Sequence, residues 1–241
     1  MKMPDLIDDK INRLPNGYVF TYIDFNTPVE KTDALIKALN RMVKDGKIRK
    51  LAKGQFYKPR VTEFGELKPE IYQVVKDLLE KDYKIIGYIT GFSVYNQLGL
   101  TTQVPGIIQI GTNYEKKPLM RGIYKVRFIK QLNRITKENI PLLRILDTVR
   151  YIKDIPDTSV DKACSQLILI IQKLNAEELT GLKRLVLKYN PATRALTGAM
   201  IEKIFGEKEV ESVFKSLNPA TNYNFSISDK TLPNKQKWYI K

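Results

Sequence analysis

The stretch TPVEKTDALIKALNRMVKDGKIRKLAKGQFY, Thr27 to Tyr57, decides the fold of the N-terminal region. Thr27-Pro28-Val29-Glu30 has the form of a capping box: Thr27 as N-cap, Pro28 at the first helical position and Glu30 reaching back. Leu35, Ala38, Leu39, Met42 and Val43 then recur at helical spacing, and Gly46 supplies the φ > 0 residue that ends such a helix. Ile48 to Tyr57 reads as two short strands around a Lys53-Gly54 turn, a β-hairpin. Upstream, Leu6, Ile7, Ile11 and Leu14 predict an amphipathic helix over residues 4–14. Pro15-Asn16-Gly17 stops it, Tyr18-Val19-Phe20 is extended, and Thr21 precedes a short helical turn over Tyr22-Ile23-Asp24-Phe25. Three short helices followed by a hairpin is the order of a winged helix-turn-helix over residues 1–60.

The charge sharpens that reading. The chain has 41 Lys and Arg against 26 Asp and Glu, a formal +15. Residues 41–60 hold Arg41, Lys44, Lys47, Arg49, Lys50, Lys53, Lys58 and Arg60 against Asp45 alone. A cluster of one sign on a helix and hairpin is the footprint of a phosphate backbone. In a winged helix, the third helix enters the major groove and the wing meets the flanking backbone. Lys31, Thr32, Lys37, Asn40, Arg41 and Lys44 are the candidate recognition-helix contacts. Arg49, Lys50, Lys53 and Gln55 are the candidate wing contacts. Asn40 or Arg41 suits base edges, and the lysines suit phosphates. The bland alternatives are a solvated basic face, an Arg41–Asp45 pair four residues apart, and a winged helix that docks protein instead of DNA.

Past residue 60, Val61 to Glu66 reads as a boundary or short connector. Lys68–Lys81 reads as an amphipathic helix after Pro69, Lys84–Tyr88 as a strand, and Thr90–Leu98 as a helix closing at Gly99. Ile107–Gly111 and Ile123–Ile129 read as strands, making residues 67–132 a small mixed α/β unit. From 139 to 241 the pattern is mainly helical. One stripe is Leu142, Leu143, Leu146 and Val149, and residues 158–174 form a second. Asn175 to Glu178 caps a helix carrying Leu179, Leu182, Val186 and Tyr189, and a fourth helix runs from Pro191 to Phe205. Tyr223–Ile227 and Trp238–Ile240 are candidates to pair around Pro233. The expected class is α+β: a winged helix-turn-helix (1–60) and a second region (67–241).

The composition removes much chemistry. There is no histidine and one cysteine, Cys164. Histidine-based nucleophilic sites, His-ligated zinc and Cys clusters are therefore excluded, as is an intrachain disulfide. Cys164 lies in an apolar helical pattern and reads as a small buried hydrophobe. No glycine-rich phosphate loop is present; Gly87, Gly91 and Gly99 read as turn and packing positions. Asp147 between Arg144 and Arg150 reads as a surface ion pair on a helix. No catalytic residue, metal or cofactor is assigned. No apolar run is long enough for a membrane span and no signal peptide is evident, so a cytoplasmic protein is expected.

Several segments in order carry a resemblance: Lys53-Gly54-Gln55-Phe56-Tyr57-Lys58-Pro59, Gly87-Tyr88-Ile89-Thr90-Gly91, and Leu98-Gly99-Leu100-Thr101-Thr102-Gln103-Val104-Pro105. Leu146-Asp147, Pro191-Ala192-Thr193-Arg194-Ala195-Leu196 and Leu217-Asn218-Pro219 follow. In these the chain resembles the AbiEi-like antitoxins of type IV toxin–antitoxin, abortive-infection systems. The resemblance implies an N-terminal winged helix that binds and represses the operon's double-stranded promoter DNA. It also implies a C-terminal region that counters a cognate nucleotidyltransferase-like toxin. Some relatives carry a nuclease-like middle segment. Here no acidic cluster with a matching lysine on paired strands is found, so no catalysis carries over. A stand-alone DNA-binding regulator and a metal-dependent nuclease are the rival readings.

Overall fold

The structure is a computed structural model that describes residues 3–103 and 106–241. Val104 and Pro105, which end the third quoted segment, lie outside the described residues, as do Met1 and Lys2. In chain order the first elements are α1 (Met3–Arg13), β1 (Val19–Thr21), a 3₁₀ turn (Tyr22–Phe25), α2 (Thr32–Lys44), β2 (Arg49–Ala52), β3 (Gln55–Tyr57), β4 (Arg60–Thr62) and β5 (Gly65–Leu67). Then come α3 (Ile71–Leu79), β6 (Glu80–Lys81), β7 (Lys84–Ile85), β8 (Gly87–Thr90), α4 (Phe92–Gln97), β9 (Ile107–Thr112), β10 (Leu119–Arg121) and β11 (Tyr124–Lys130). The remainder is helical: α5 (Asn139–Arg150), α6 (Val160–Gln172), α7 (Ala176–Val186), α8 (Pro191–Phe205) and α9 (Glu211–Lys215). The class is α+β with a helical C-terminal region.

The chain forms two compact units, residues 1–78 with 119–126, and residues 79–118 with 127–241. The first unit thus runs past the expected limit at residue 60, and the expected middle segment 67–132 is divided between the two.

In the first unit β1, β3 and β2 make an antiparallel sheet in that order, with Phe20 opposite Phe56 and Arg49 opposite Tyr57. Ile7 and Ile11 of α1, Leu35, Leu39 and Met42 of α2, and Phe20, Ile48 and Phe56 form its buried core. This is the element order and sheet of a winged helix. The α2 helix closes as a Schellman motif: Lys47 N–H donates to Met42 O at 3.0 Å and Gly46 N–H to Val43 O at 3.1 Å, with Gly46 at φ 75°.

The start of α2 differs from expectation. Pro28 sits at φ −54°, ψ 146°, and the chain enters through a 3₁₀ turn, Val29–Lys31, with no side-chain cap on either it or α2. The extended ψ at Pro28 keeps Thr27 out of the N-cap position. The capping box stands earlier: the Thr21 hydroxyl accepts from Ile23 N–H at 3.2 Å, and Thr21 N–H donates to Asp24 Oδ2 at 2.6 Å. Val61–Glu66 is likewise not a connector but part of a second hairpin, β4–β5, with Val61 opposite Glu66. A third hairpin, β10 with the start of β11, belongs to this unit; Arg121 pairs with Asp77 of α3 at 2.6 Å.

The second unit has a sheet in which β9 lies between β8 and β11; β8 pairs antiparallel to β9 with Tyr88 opposite Gly111. The expected strand over Lys84–Tyr88 is broken at Ile86, and the helix expected to reach Lys81 ends at Leu79, where β6 begins its own hairpin with β7. The helices follow their caps. Asn175 and Glu178 make a reciprocal capping box, both bonds 2.9 Å, and Asn190 caps α8 ahead of Pro191. α8 is buried from Ala195 to Ile201 and packs against α5, α6, α7 and α9, which makes it the axis of the helical core. Cys164 is free and buried in that core, and its thiol is pushed up to about 12 by burial. The tail closes on itself with one parallel bridge, Tyr223 to Ile240, not with two strands.

Candidate nucleic-acid interface

The period of α2 separates two faces. Leu35, Leu39 and Met42 are buried; Lys37, Asn40, Arg41 and Lys44, at i, i+3, i+4 and i+7, are exposed on one stripe. None of these four side chains has a hydrogen-bond or ion-pair partner among the described residues, and the Arg41–Asp45 pair does not form. Lys31 is exposed just before the helix. Thr32 is half-buried, with its hydroxyl donating back to Pro28 O at 3.4 Å.

The hairpin β2–β3 turns at Lys53-Gly54, with Gly54 at φ 73°, and Lys50 and Lys53 are exposed and have no side-chain partner among the described residues. Two of the expected wing contacts are corrected by the fold. Gln55 is only 6% exposed, because β3 is the central strand of the sheet and β1 and β2 flank it. Arg49 is engaged: Nε donates to Glu66 Oε2 at 2.9 Å, Nη2 meets Glu66 Oε1, and Nη1 reaches Gly46 O at 2.7 Å. It ties the second hairpin to the wing and is not a free cation. Lys47 and Lys58 are spent similarly, on Asp8 at 2.8 Å and on the carbonyl of Asn12 at 2.8 Å. Among the described residues, the cations of the basic cluster that stay without a hydrogen-bond or ion-pair partner are Arg41, Lys44, Lys50, Lys53 and Arg60. The second hairpin also presents Phe64 at its tip, 98% exposed. That residue escaped sequence reading because its segment looked like a connector.

The second unit holds a different kind of centre. Asp147, expected on the surface, is 1% exposed and forms no ion pair among the described residues. Its Oδ2 accepts from the Tyr88 hydroxyl at 2.7 Å and from Thr90 Oγ1 at 2.9 Å; its Oδ1 accepts from the Tyr189 hydroxyl at 2.9 Å. Gln131 Nε2 donates to both tyrosine oxygens, at 3.0 and 2.8 Å. Gln131 Oε1 accepts from Asn133 N–H at 2.8 Å, and Asn133 Nδ2 donates to Leu185 O at 3.0 Å. Arg144 turns away and donates to Ile89 O at 3.0 Å. Burial raises the Asp147 carboxyl above the usual carboxylate range, and the three hydroxyls pull it partly back. Both tyrosine hydroxyls are raised, first by burial and then by the adjacent carboxylate. Gly111 admits the Tyr88 ring: a Cβ there would lie 2.4 Å from two ring carbons.

Among the described residues, no group of three or more His, Cys, Asp or Glu is placed to hold a metal ion. No helix among them is long and apolar enough to cross a membrane.

No curated protein matches the chain. Its fold is similar to that in the crystal structure of the RV2827C protein from Mycobacterium tuberculosis, with a TM-score of 0.58 and 11% sequence identity, over 92% of this chain and 84% of that one. At that identity the likeness is one of fold. Residues 6–179 match the model of a family described as "Family of unknown function (DUF6088)". That match runs from α1 through α6, over more than half of the chain, so the chain belongs to the DUF6088 family.

Proposed function

We propose that this is a cytoplasmic, non-enzymatic DNA-binding protein, an autorepressor and antitoxin of the AbiEi-like kind. Its winged helix binds double-stranded promoter DNA, and its second unit counters a nucleotidyltransferase-like toxin. The observation that carries the DNA reading is the stripe Lys37, Asn40, Arg41 and Lys44: four exposed polar side chains, without a partner among the described residues, on the helix that a winged helix presents to the major groove. Lys50 and Lys53 extend the positive surface to the wing. The antitoxin part rests on the resemblance of the segments from Gly87 to Pro219.

Arg41 and Lys53 separate reading from sticking. An arginine on a guanine edge contributes ~1–3 kcal/mol of base discrimination. Arg41→Ala is therefore expected to lower the ratio of operator to scrambled-duplex affinity by about tenfold. Lys53→Ala is expected to weaken both duplexes alike and to reduce the slope of log K against log salt by roughly one unit. Fluorescence titrations at several salt concentrations measure both. An unchanged ratio in Arg41→Ala assigns Arg41 to the surface, and salt-independent binding overturns the DNA reading.

A second test addresses the division of labour. The full chain carrying Lys37→Ala, Arg41→Ala and Lys44→Ala together is expected to lose promoter repression and still rescue growth when co-expressed with its cognate toxin. Joint loss of repression and rescue in a folded variant contradicts the modular reading.

A further inference from the structure

The buried Asp147 network is the floor of an open cavity. In the second unit a concavity of about 340 Å³ is lined by Gln131 and Tyr189 below, by Lys130, Arg150 and Lys188 at the rim, and by Asn190 at the start of α8. Among the described residues no carboxylate lines it. Arg150 and Lys188 are exposed and enter no ion pair among the described residues. Lys130 pairs with Glu115 at 2.9 Å, but both side chains are largely open to solvent, 54% and 79% exposed, so water screens that pair. The floor is rigid, because both nitrogen–oxygen ends of Gln131 are already bonded and the Tyr189 hydroxyl is held by Asp147.

Three cations from three separate segments converge on this space: the end of β11, the last turn of α5, and the loop between α7 and α8. The positive end of the 15-residue helix α8 adds to the same field. A volume of this size suits a small molecule and is too small for a duplex or a protein element. Arginine presents a planar fork matched to phosphate oxygens, and lysines supply mobile point charges beside it. A ligand with one charge leaves two cations unanswered; a ligand with adjacent phosphates answers all three.

We propose that this cavity binds a diphosphate-bearing small molecule, with Arg150, Lys188 and Lys130 as its phosphate contacts. No residue of the winged helix takes part, so this site and the DNA reading stand or fall separately.

Isothermal titration of the full chain at fixed ionic strength tests it, with inorganic pyrophosphate and ADP as the probes. Saturable one-site binding at ~1 mM or tighter is expected for one or both. Arg150→Met and Lys188→Met are each expected to weaken it about tenfold. Lys208→Met, an exposed lysine of the same unit outside the cavity, is expected to leave it unchanged. Equal affinity for the two probes means that the phosphates alone are read, and tighter ADP means that the remainder of the molecule occupies the cavity; both sustain the site. Thermal melts establish that each variant is folded. No saturable binding of either probe, wild-type affinity in both cavity variants, or an equal loss in Lys208→Met overturns the proposal.

Discussion

Asp147→Ala is expected to destabilise the protein by about 3 kcal/mol, with the loss in the second unit. Three buried hydroxyls, on Tyr88, Thr90 and Tyr189, lose their common acceptor at once. A single buried polar group left unsatisfied costs ~1–3 kcal/mol. The three losses are not additive, since the hydroxyls can turn toward one another or toward Gln131, and removing a desolvated carboxylate returns part of its burial cost. Asp147→Asn keeps the shape and is expected to cost about 1 kcal/mol. It also isolates a pH effect. The folded carboxyl titrates above its unfolded value near 3.8. Its contribution to stability is then fully present below that value and is lost as pH rises through the folded pKa. Urea denaturation across pH 4–7 measures it: the stability of the wild type relative to Asp147→Asn should fall as pH rises. A difference that stays flat, or grows, contradicts a raised pKa at this site.

Gly198→Ala is expected to cost about 1–3 kcal/mol, against the usual trend. Alanine for glycine inside a helix ordinarily stabilises by roughly 1 kcal/mol. Here a Cβ would stand 2.1 Å from the nearest carbon of the Trp238 ring. The ring has no room to retreat. It is fully buried, packs edge-on to Phe214 with centroids 5.2 Å apart, and its Nε1 donates to Glu202. Overpacking of this kind outweighs the gain in helix propensity. Trp238 is the single tryptophan of the chain, so its fluorescence reports the displacement directly. Thermal melts in a Trp238→Leu background complete the test, because a smaller side chain opens the space. The alanine should cost less there than in the wild type; an equal cost in both backgrounds refutes the steric account.

What the sequence revealed, and what it hid, follows from how local each signal is. The helices α7 and α8 announced themselves because Asn175 with Glu178, and Pro191, lie within a few residues of the starts they fix, and α6 through its apolar period; its cap, Ser159, and the Asn190 cap of α8 emerge only in the structure. The end of α2 and the hairpin after it were legible for the same reason, through Gly46 and the Lys53-Gly54 turn. Thr27 misled because the motif of a capping box does not specify ψ at Pro28. Gln55 misled because alternation along a strand does not say whether the strand is central, and only the pairing of β1 with β3 buries it. Asp147 was the largest miss. Its helical neighbours Arg144 and Arg150 suggested an ion pair, while its real partners come from positions 88, 90 and 189, more than forty residues away. The available hint was weak: Tyr88 and Thr90, two apart in a strand, share a face, and a glycine at position 111 leaves room for an aromatic ring.

The excursion of Leu119–Val126 has a practical consequence. The backbone passes between the two units after residues 78, 118 and 126, so neither unit is a continuous stretch of sequence. No single cut releases either one whole. A stop codon or protease site near residue 79 yields a first unit without the β10–β11 hairpin, the partner of Asp77 included, and a second fragment that carries that hairpin as an orphan. Dissection of this protein by truncation therefore needs a stitched gene in which residues 119–126 are grafted back behind residue 78, and a short linker takes their place between residues 118 and 127.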